Sequence, residues 1–319
     1  MKKRIVFFIL IVIISSINTG CYFGGSVDSM LSPPKLSKEQ NEIYNALTSA
    51  IGNDFHLVYP KGGEYRSPYI IENIDNEPEM EAIVFYEAIS ETEGSNIRIN
   101  ILDKINNKWV SVYDHAGIGN GIERIMISKL GASEDINIII GYSMFSGEKS
   151  VKVYSYTDRK LTNQYTDNYS NVFVTDMEKD NQSELIVIHP NTSSTKAFIS
   201  YLTNINGEIV EQTNINMNPE STEFINIAHG YVGKTTPALF IDSVIAGQVS
   251  TEIIYVINGM LRNPLYLNDS TQIKNTMRPI GYLCTDIDLD GIIEIPTQEL
   301  FLGYNTDSTE KEYITNWNV

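Results

Sequence analysis

Cysteine is almost absent from this chain. Its 319 residues hold two, Cys21 and Cys284, so neither a disulfide framework nor a cysteine zinc site can be built. Histidine is scarce as well. His56, His115, His189 and His229 stand apart, without the H-x-x-x-H spacing of a zinc-binding helix. Basic residues are outnumbered, 23 Lys and Arg against 40 Asp and Glu, and the net charge is −17. The first twenty residues carry Lys2, Lys3 and Arg4 and no acid, which leaves −20 on the remainder. A surface of that sign repels nucleic acid and anionic headgroups, and it accepts divalent cations or basic partners. Missing too are a serine in a nucleophile elbow and an H-E-x-x-H helix. Gly117-Ile-Gly119-Asn-Gly121 lies between two strand patterns, and a dinucleotide site needs a helix there.

What is present begins with an address. Lys2-Lys3-Arg4 precede Ile5 to Ile14, an apolar run of ten residues. That is too short to span a bilayer as a mature helix and suits a signal peptide. Small polar residues follow, then Thr19-Gly20-Cys21. The arrangement resembles a bacterial lipoprotein signal, whose cysteine is lipidated and becomes the new N-terminus. Asn18 occupies the position where that signal usually carries leucine. The resemblance implies a lipid anchor on Cys21 and a place on the outer face of the cytoplasmic membrane. A diacylglyceryl group supplies two chains, enough for stable attachment. The expected organisation is a signal peptide over 1–20, a Gly/Ser/Pro tether over 21–36, a helix over 37–52 and a β domain over 53–319.

The helix has its signals in place. Ser37 and Gln40 form a capping box, Ile43, Leu47 and Ile51 recur on one face, and Gly52 stops it. From Phe55 onward short β-rich runs alternate with Asn, Asp, Gly and Ser. Four of them, at 69–73, 82–87, 96–102 and 109–114, make one antiparallel unit. The cycle repeats three more times, ending near Leu267, and runs at 282–285, 293–302 and 312–318 open a fifth. The period is roughly 50 residues, which signals propellers or solenoids, and four strands per unit select the propeller. The expected fold is all-β: about five four-stranded antiparallel blades with one N-terminal helix. Phe55-His-Leu-Val-Tyr matches the outer strand Trp109-Val-Ser-Val-Tyr in register, so it is expected to complete the last blade and close the ring. The alternative is a chain that ends inside a larger ring.

Three loops between first and second strands are acid-rich. Asp286, Asp288, Asp290 and Glu294 take positions 1, 3, 5 and 9, with Gly291 at 6. Asp176, Glu178, Asp180 and Glu184 repeat the set with Asn181 at 6, and Asn73, Asp75, Glu77 and Glu81 repeat it with Pro78 there. Alternating acids around a tight turn direct oxygens at one hard cation, so calcium is the expected ion. Acidic β-turns also form without any metal. Thr297 stands where an EF-hand needs its twelfth-position acid, and strands flank the loop, which excludes that motif. The loops resemble the FG-GAP and VCBS repeats of integrin-like propellers. That resemblance implies structural calcium sites on blade hairpins and a non-enzymatic binding or scaffolding role. The matching stretches Lys129-Leu-Gly131-Ala-Ser133 and Ala228-His-Gly230-Tyr-Val232 have lost their acids.

The expected partners are the membrane, through lipidated Cys21, and a protein or carbohydrate ligand, with no nucleic acid. The alternative is a surface hydrolase or polysaccharide-handling enzyme using one face of the ring. Cys284 is expected to be a small buried residue, and His189 and His229 to lie at the surface. Most of the 19 tyrosines fall inside strands and belong to packing, leaving a minority to line a binding face.

Overall fold

The computed structural model describes residues 36–75, 77–89, 97–264, 276–300 and 313–318. The expected signal segment, Cys21 and all of the expected tether but Leu36 lie outside them. The chain divides into two units, Met1–Asn41 and Glu42–Val319. In the first, the Ser37 hydroxyl accepts the Gln40 N–H at 3.1 Å and the Gln40 side chain accepts the Ser37 N–H at 3.0 Å. This reciprocal box satisfies two N-terminal donors of α1 (Lys38–Ile51). In the second unit α1 ends at Gly52, whose φ of 88° suits the left-handed stop.

The second unit is built of antiparallel sheets laid down in chain order. The first contains β1 (Phe55–Leu57), β2 (Tyr69–Glu72), β3 (Glu81–Ala88), β4 (Ile97–Ile105) and β5 (Lys108–Ala116). The next three are regular four-strand meanders. They are β6–β9 (Gly121–Lys129, Ile136–Ser143, Lys149–Thr157, Lys160–Asn168), β10–β13 (Asn171–Thr175, Glu184–His189, Phe198–Ile205, Glu208–Asn216) and β14–β17 (Glu223–Val232, Thr236–Ile245, Gln248–Ile257, Met260–Arg262). β18 (Ile295–Leu300) pairs with β19 (Tyr313–Asn318). The expected strand at 282–285 is reduced to a single bridge between Thr285 and Glu294.

Several turns follow directly from local chemistry. Asn106-Asn107, Asp158-Arg159, Asn206-Gly207 and Asn258-Gly259 all take positive φ and join third to fourth strands. Two such residues give the hairpin twist that matches the strands, and Asn and Gly adopt it at little cost.

Phe55 does not close a ring. Phe55, His56 and Leu57 pair with Ala88, Glu87 and Tyr86 of β3, in the first sheet. The reason is the length of β2. Its four residues pair with only Glu81–Val84, which leaves the far half of β3 with open backbone groups, and β1 fills that half. The register match with Trp109 reflects shared strand composition rather than shared position.

Second strands are buried on both faces, so alternate residues enter different cores. Ile83 and Phe85 join Ile138, Ile140 and Tyr142 between the first two sheets. Ile139 turns the other way and meets Leu185 and Val187 of the third sheet. Ile186 and Ile188 then meet Leu239 and Ile241 of the fourth, and Ala238 and Phe240 meet Cys284 and Ile293. On the outer face of the first sheet, Val84 and Tyr86 pack on Ile43 and Leu47 of α1. Burying both faces of strands this apolar is the main stabilising term, about 1.5–3 kcal/mol per large side chain. Where sheets two and three approach, Gly131 is required. Its φ is 60°, and an added Cβ would lie 2.1 Å from the Thr203 hydroxyl oxygen.

Candidate functional site

The acidic loops share one construction. The ninth-position glutamate opens or immediately precedes the second strand and turns back over the loop. Glu81 accepts the N–H of Ile74 at 2.9 Å, Glu184 that of Met177 at 3.1 Å, and Glu294 that of Ile287 at 2.8 Å. The first-position aspartates accept two further N–H groups each: Asp180 and Asn181 on Asp176, and Asp290 and Gly291 on Asp286. Positions 4 and 6 take positive φ in both loops, at Lys179 and Asn181 and at Leu289 and Gly291. Pro78 cannot adopt that conformation. In the first loop the Asn73 carboxamide donates instead to the Glu77 carbonyl at 2.5 Å, and Asp75 accepts the Glu77 N–H at 2.8 Å. The ninth-position glutamates are therefore loop-closing groups, with one oxygen committed to the backbone.

Burial raises the Glu81 and Glu184 carboxyls to about 7, against the lowering effect of those N–H bonds. A buried apolar residue plugs position 2 of both loops, Ile74 and Met177. Leu130 does the same in the second sheet, where the acids are gone. The turn and its plug thus persist without a cation site.

The three loops differ in what they offer a metal. Among the described residues, only Asp286, Asp288 and Asp290 place carboxylate oxygens of three residues within 4.8 Å of one another. Hard oxygen donors at that spacing fit calcium. In the second loop Glu178 has turned away: it accepts the Gly259 N–H at 2.9 Å and the Tyr201 hydroxyl at 3.1 Å, tying the loop to the neighbouring hairpin. Lys179 lies over the Tyr231 ring at 4.3 Å. The expected ligands Asp176, Glu178, Asp180 and Glu184 are not gathered, nor are Asn73, Asp75, Glu77 and Glu81.

Buried polar chains run elsewhere. His189, expected at the surface, is 4% exposed and stacks on Phe198 at 4.0 Å. Its Nε2 lies 3.0 Å from the Ser200 hydroxyl, which donates to Glu211 at 2.5 Å. Burial lowers the His189 pKa. The order resembles that of a hydrolase, but Ser200 is fully buried and its proton is directed to Glu211, so no substrate reaches it. His229 is exposed and meets Thr175 at 2.8 Å. Cys284 is buried, and burial with the nearby Asp242 carboxylate pushes its thiol up.

The opposite strand ends hold a cleft of about 700 Å³. Turns of sheets two, three and four line it: Gly147–Lys149, 168–171, Pro190–Ser193 and Ser221–Phe224. Its walls are pre-formed. Thr192 accepts the Thr195 N–H on its hydroxyl at 2.9 Å, and Asn191 donates to the Ser221 carbonyl at 3.2 Å, linking sheets three and four.

At the same strand ends Lys61 donates to Glu123 at 2.7 Å and to the Ser143 hydroxyl at 2.8 Å, and Lys149 stands 3.5 Å from Glu123. Burial pulls the Glu123 carboxyl up, but the Lys61 and Ser143 hydrogen bonds and the Lys149 charge bring it down to about 2. The folded value lies below the ordinary 4.5. Its stabilisation is therefore present above pH 4.5 and is lost as pH falls towards 2. Glu123→Gln should cost about 1 kcal/mol at neutral pH. The gap between variant and parent, read from urea midpoints, should shrink through that acid window; a gap independent of pH would contradict the assignment.

No protein-family model matches the chain, and no curated protein matches it. Among solved structures, the Bacillus licheniformis rhamnogalacturonan lyase PL11 aligns over 75% of this chain and 59% of its own, at 9% identity and a TM-score of 0.39. Rhamnogalacturonan lyase YesW aligns over 75% and 58%, at 10% identity and a TM-score of 0.37. The chain thus spans under two thirds of either lyase, and a superposition of that quality assigns neither fold family nor activity.

Proposed function

We propose that the chain is a lipid-anchored, extracytoplasmic binding module without catalytic chemistry. In this reading its successive sheets are blades of a β-propeller, and α1 covers the first of them. Cys21 carries the lipid. The Asp286–Glu294 loop holds calcium as a structural ion, and the ligand is met at the other strand ends. The observation that carries the reading is the pre-built polar cleft where turns of three sheets converge. It stands apart from the acidic loops, and the buried Ser200–His189 pair lies behind its wall, beside Asn168 and Pro190. The ion itself has little to do with chemistry, because Asp286, Asp288 and Asp290 stand on a hairpin at the strand ends away from the cleft.

Calcium modules outside the cell bind at roughly 10⁻⁴–10⁻³ M. At one to ten times saturation, linkage gives about 0.4–1.4 kcal/mol. For a domain of this size that is a rise of about 1–4 °C in melting temperature. Calcium should produce this rise, a chelator should reverse it, and Asp288→Asn should abolish it. A midpoint indifferent to calcium would remove the ion from the account.

A further inference from the structure

We infer that the cleft between sheets two, three and four binds a neutral oligosaccharide. The inference rests on the binding-module reading and names its ligand class. The lining groups are mostly carboxamides and hydroxyls. Those of Asn168, Ser170, Asn171 and Ser193 make no hydrogen bond among the described residues. Asn171 and Ser170 are half-buried, so a partner for their polar groups is worth more than at an exposed site. Carboxamides and hydroxyls both donate and accept, which matches the alternating hydroxyls of a sugar. Phe224 lines the cleft with a half-buried ring that also packs on the core of sheets three and four. Aromatic faces of this kind cover the C–H face of a pyranose ring.

The cleft's charges exclude the competing ligands. Its lining carries two carboxylates, Glu148 and Glu223, and one ammonium, Lys149, already beside Glu123. With the chain at −17, a polyanion is repelled. An extended peptide needs an open strand edge to add to. Here the Ser170 N–H is committed to the Ile188 carbonyl and the Thr222 N–H to the Val244 carbonyl. A cleft of this volume holds a short oligomer.

The test is calorimetric titration of the protein with maltotetraose, cellotetraose, mannotetraose and chitotetraose, and with tetragalacturonate as the acidic comparison. At least one neutral tetraose should bind, about tenfold or more tighter than tetragalacturonate. Asn171→Ala should weaken it about tenfold and Ser193→Ala several-fold, with the melting midpoint kept. Exposed Asn168→Ala serves if Asn171→Ala misfolds. Three results would overturn the inference: no binding of any neutral tetraose, tighter binding of tetragalacturonate, or affinity unchanged in all the variants. Shortened products in the titration cell would instead overturn the non-catalytic reading and leave the cleft's preference standing.

Discussion

Arg278→Met lowers stability by about 3–5 kcal/mol, and so does Asp242→Leu. Both residues are fully buried, with Nη2 and Oδ1 2.7 Å apart. Asp242 also accepts the Thr251 hydroxyl at 2.5 Å, the Asn226 carboxamide at 3.1 Å and the Cys284 N–H at 2.7 Å. Arg278 spends its other donors on the Thr251 hydroxyl and on the Thr276 and Tyr282 carbonyls. Removing either partner strands a charge that water cannot reach. Replacing both costs much less, because an apolar pair needs no desolvation. The measurement is a double-substitution cycle by urea denaturation, which should show strong coupling. Additive effects, or single losses within about 1 kcal/mol, would refute it. The pair anchors the chain just before the Asp286 loop, so the single variants should also lose the calcium-induced rise in melting temperature.

Phe85→Ala costs about 3–5 kcal/mol. Phe85 is fully buried in the core shared by sheets one and two, where no neighbour can fill the space of a lost ring. Its chain neighbour Val84 faces α1 and the outer core of the first sheet. Val84→Ala removes fewer atoms and costs less. If Phe85→Ala proved as mild as a surface change, the shared face between sheets one and two would be wrong.

Much of the fold is legible in the sequence because both periods are strong. The Ser37–Gln40 box and the Ile43/Leu47 face give α1. The short β-rich runs parted by Asn, Asp, Gly and Ser give the hairpins, and the resulting strands agree with the first four sheets. Pairing partners are another matter. Phe55 matches Trp109 in composition, but which edge it joins depends on the short reach of β2, a tertiary fact. His189 closes a strand and reads as exposed, yet stacking on Phe198 buries it. The run at 282–285 has strand composition but only one bridge, since Arg278 and Asp242 hold its neighbours instead.

The candidate sites divide in the same way. The acids of the Asp286 loop are visible from their spacing, and the structure gathers three of them. That spacing does not reveal that Glu81, Glu184 and Glu294 bend back to close their loops. It does not show that Glu178 serves the Gly259 hairpin either. Nor does an apolar residue at position 2 announce which loop folds without metal: Ile74, Met177 and Leu130 are buried plugs, whereas the equally apolar Ile287 is exposed. The Asp242–Arg278 pair and the cleft join residues far apart in the chain, and no local pattern announces them.

The separation between a structural loop and a binding face is tested most directly by hydrogen exchange, residue by residue, with calcium and with chelator. The account predicts added protection at Ile287, Asp290, Gly291 and Ile292, whose N–H groups donate to the loop carboxylates. It predicts the same at Tyr231, whose N–H donates to the Gly291 carbonyl at 2.9 Å. Ser170, Thr192 and Thr222 in the cleft should exchange unchanged. Calcium-dependent protection in the cleft, with none at the hairpin, would contradict it.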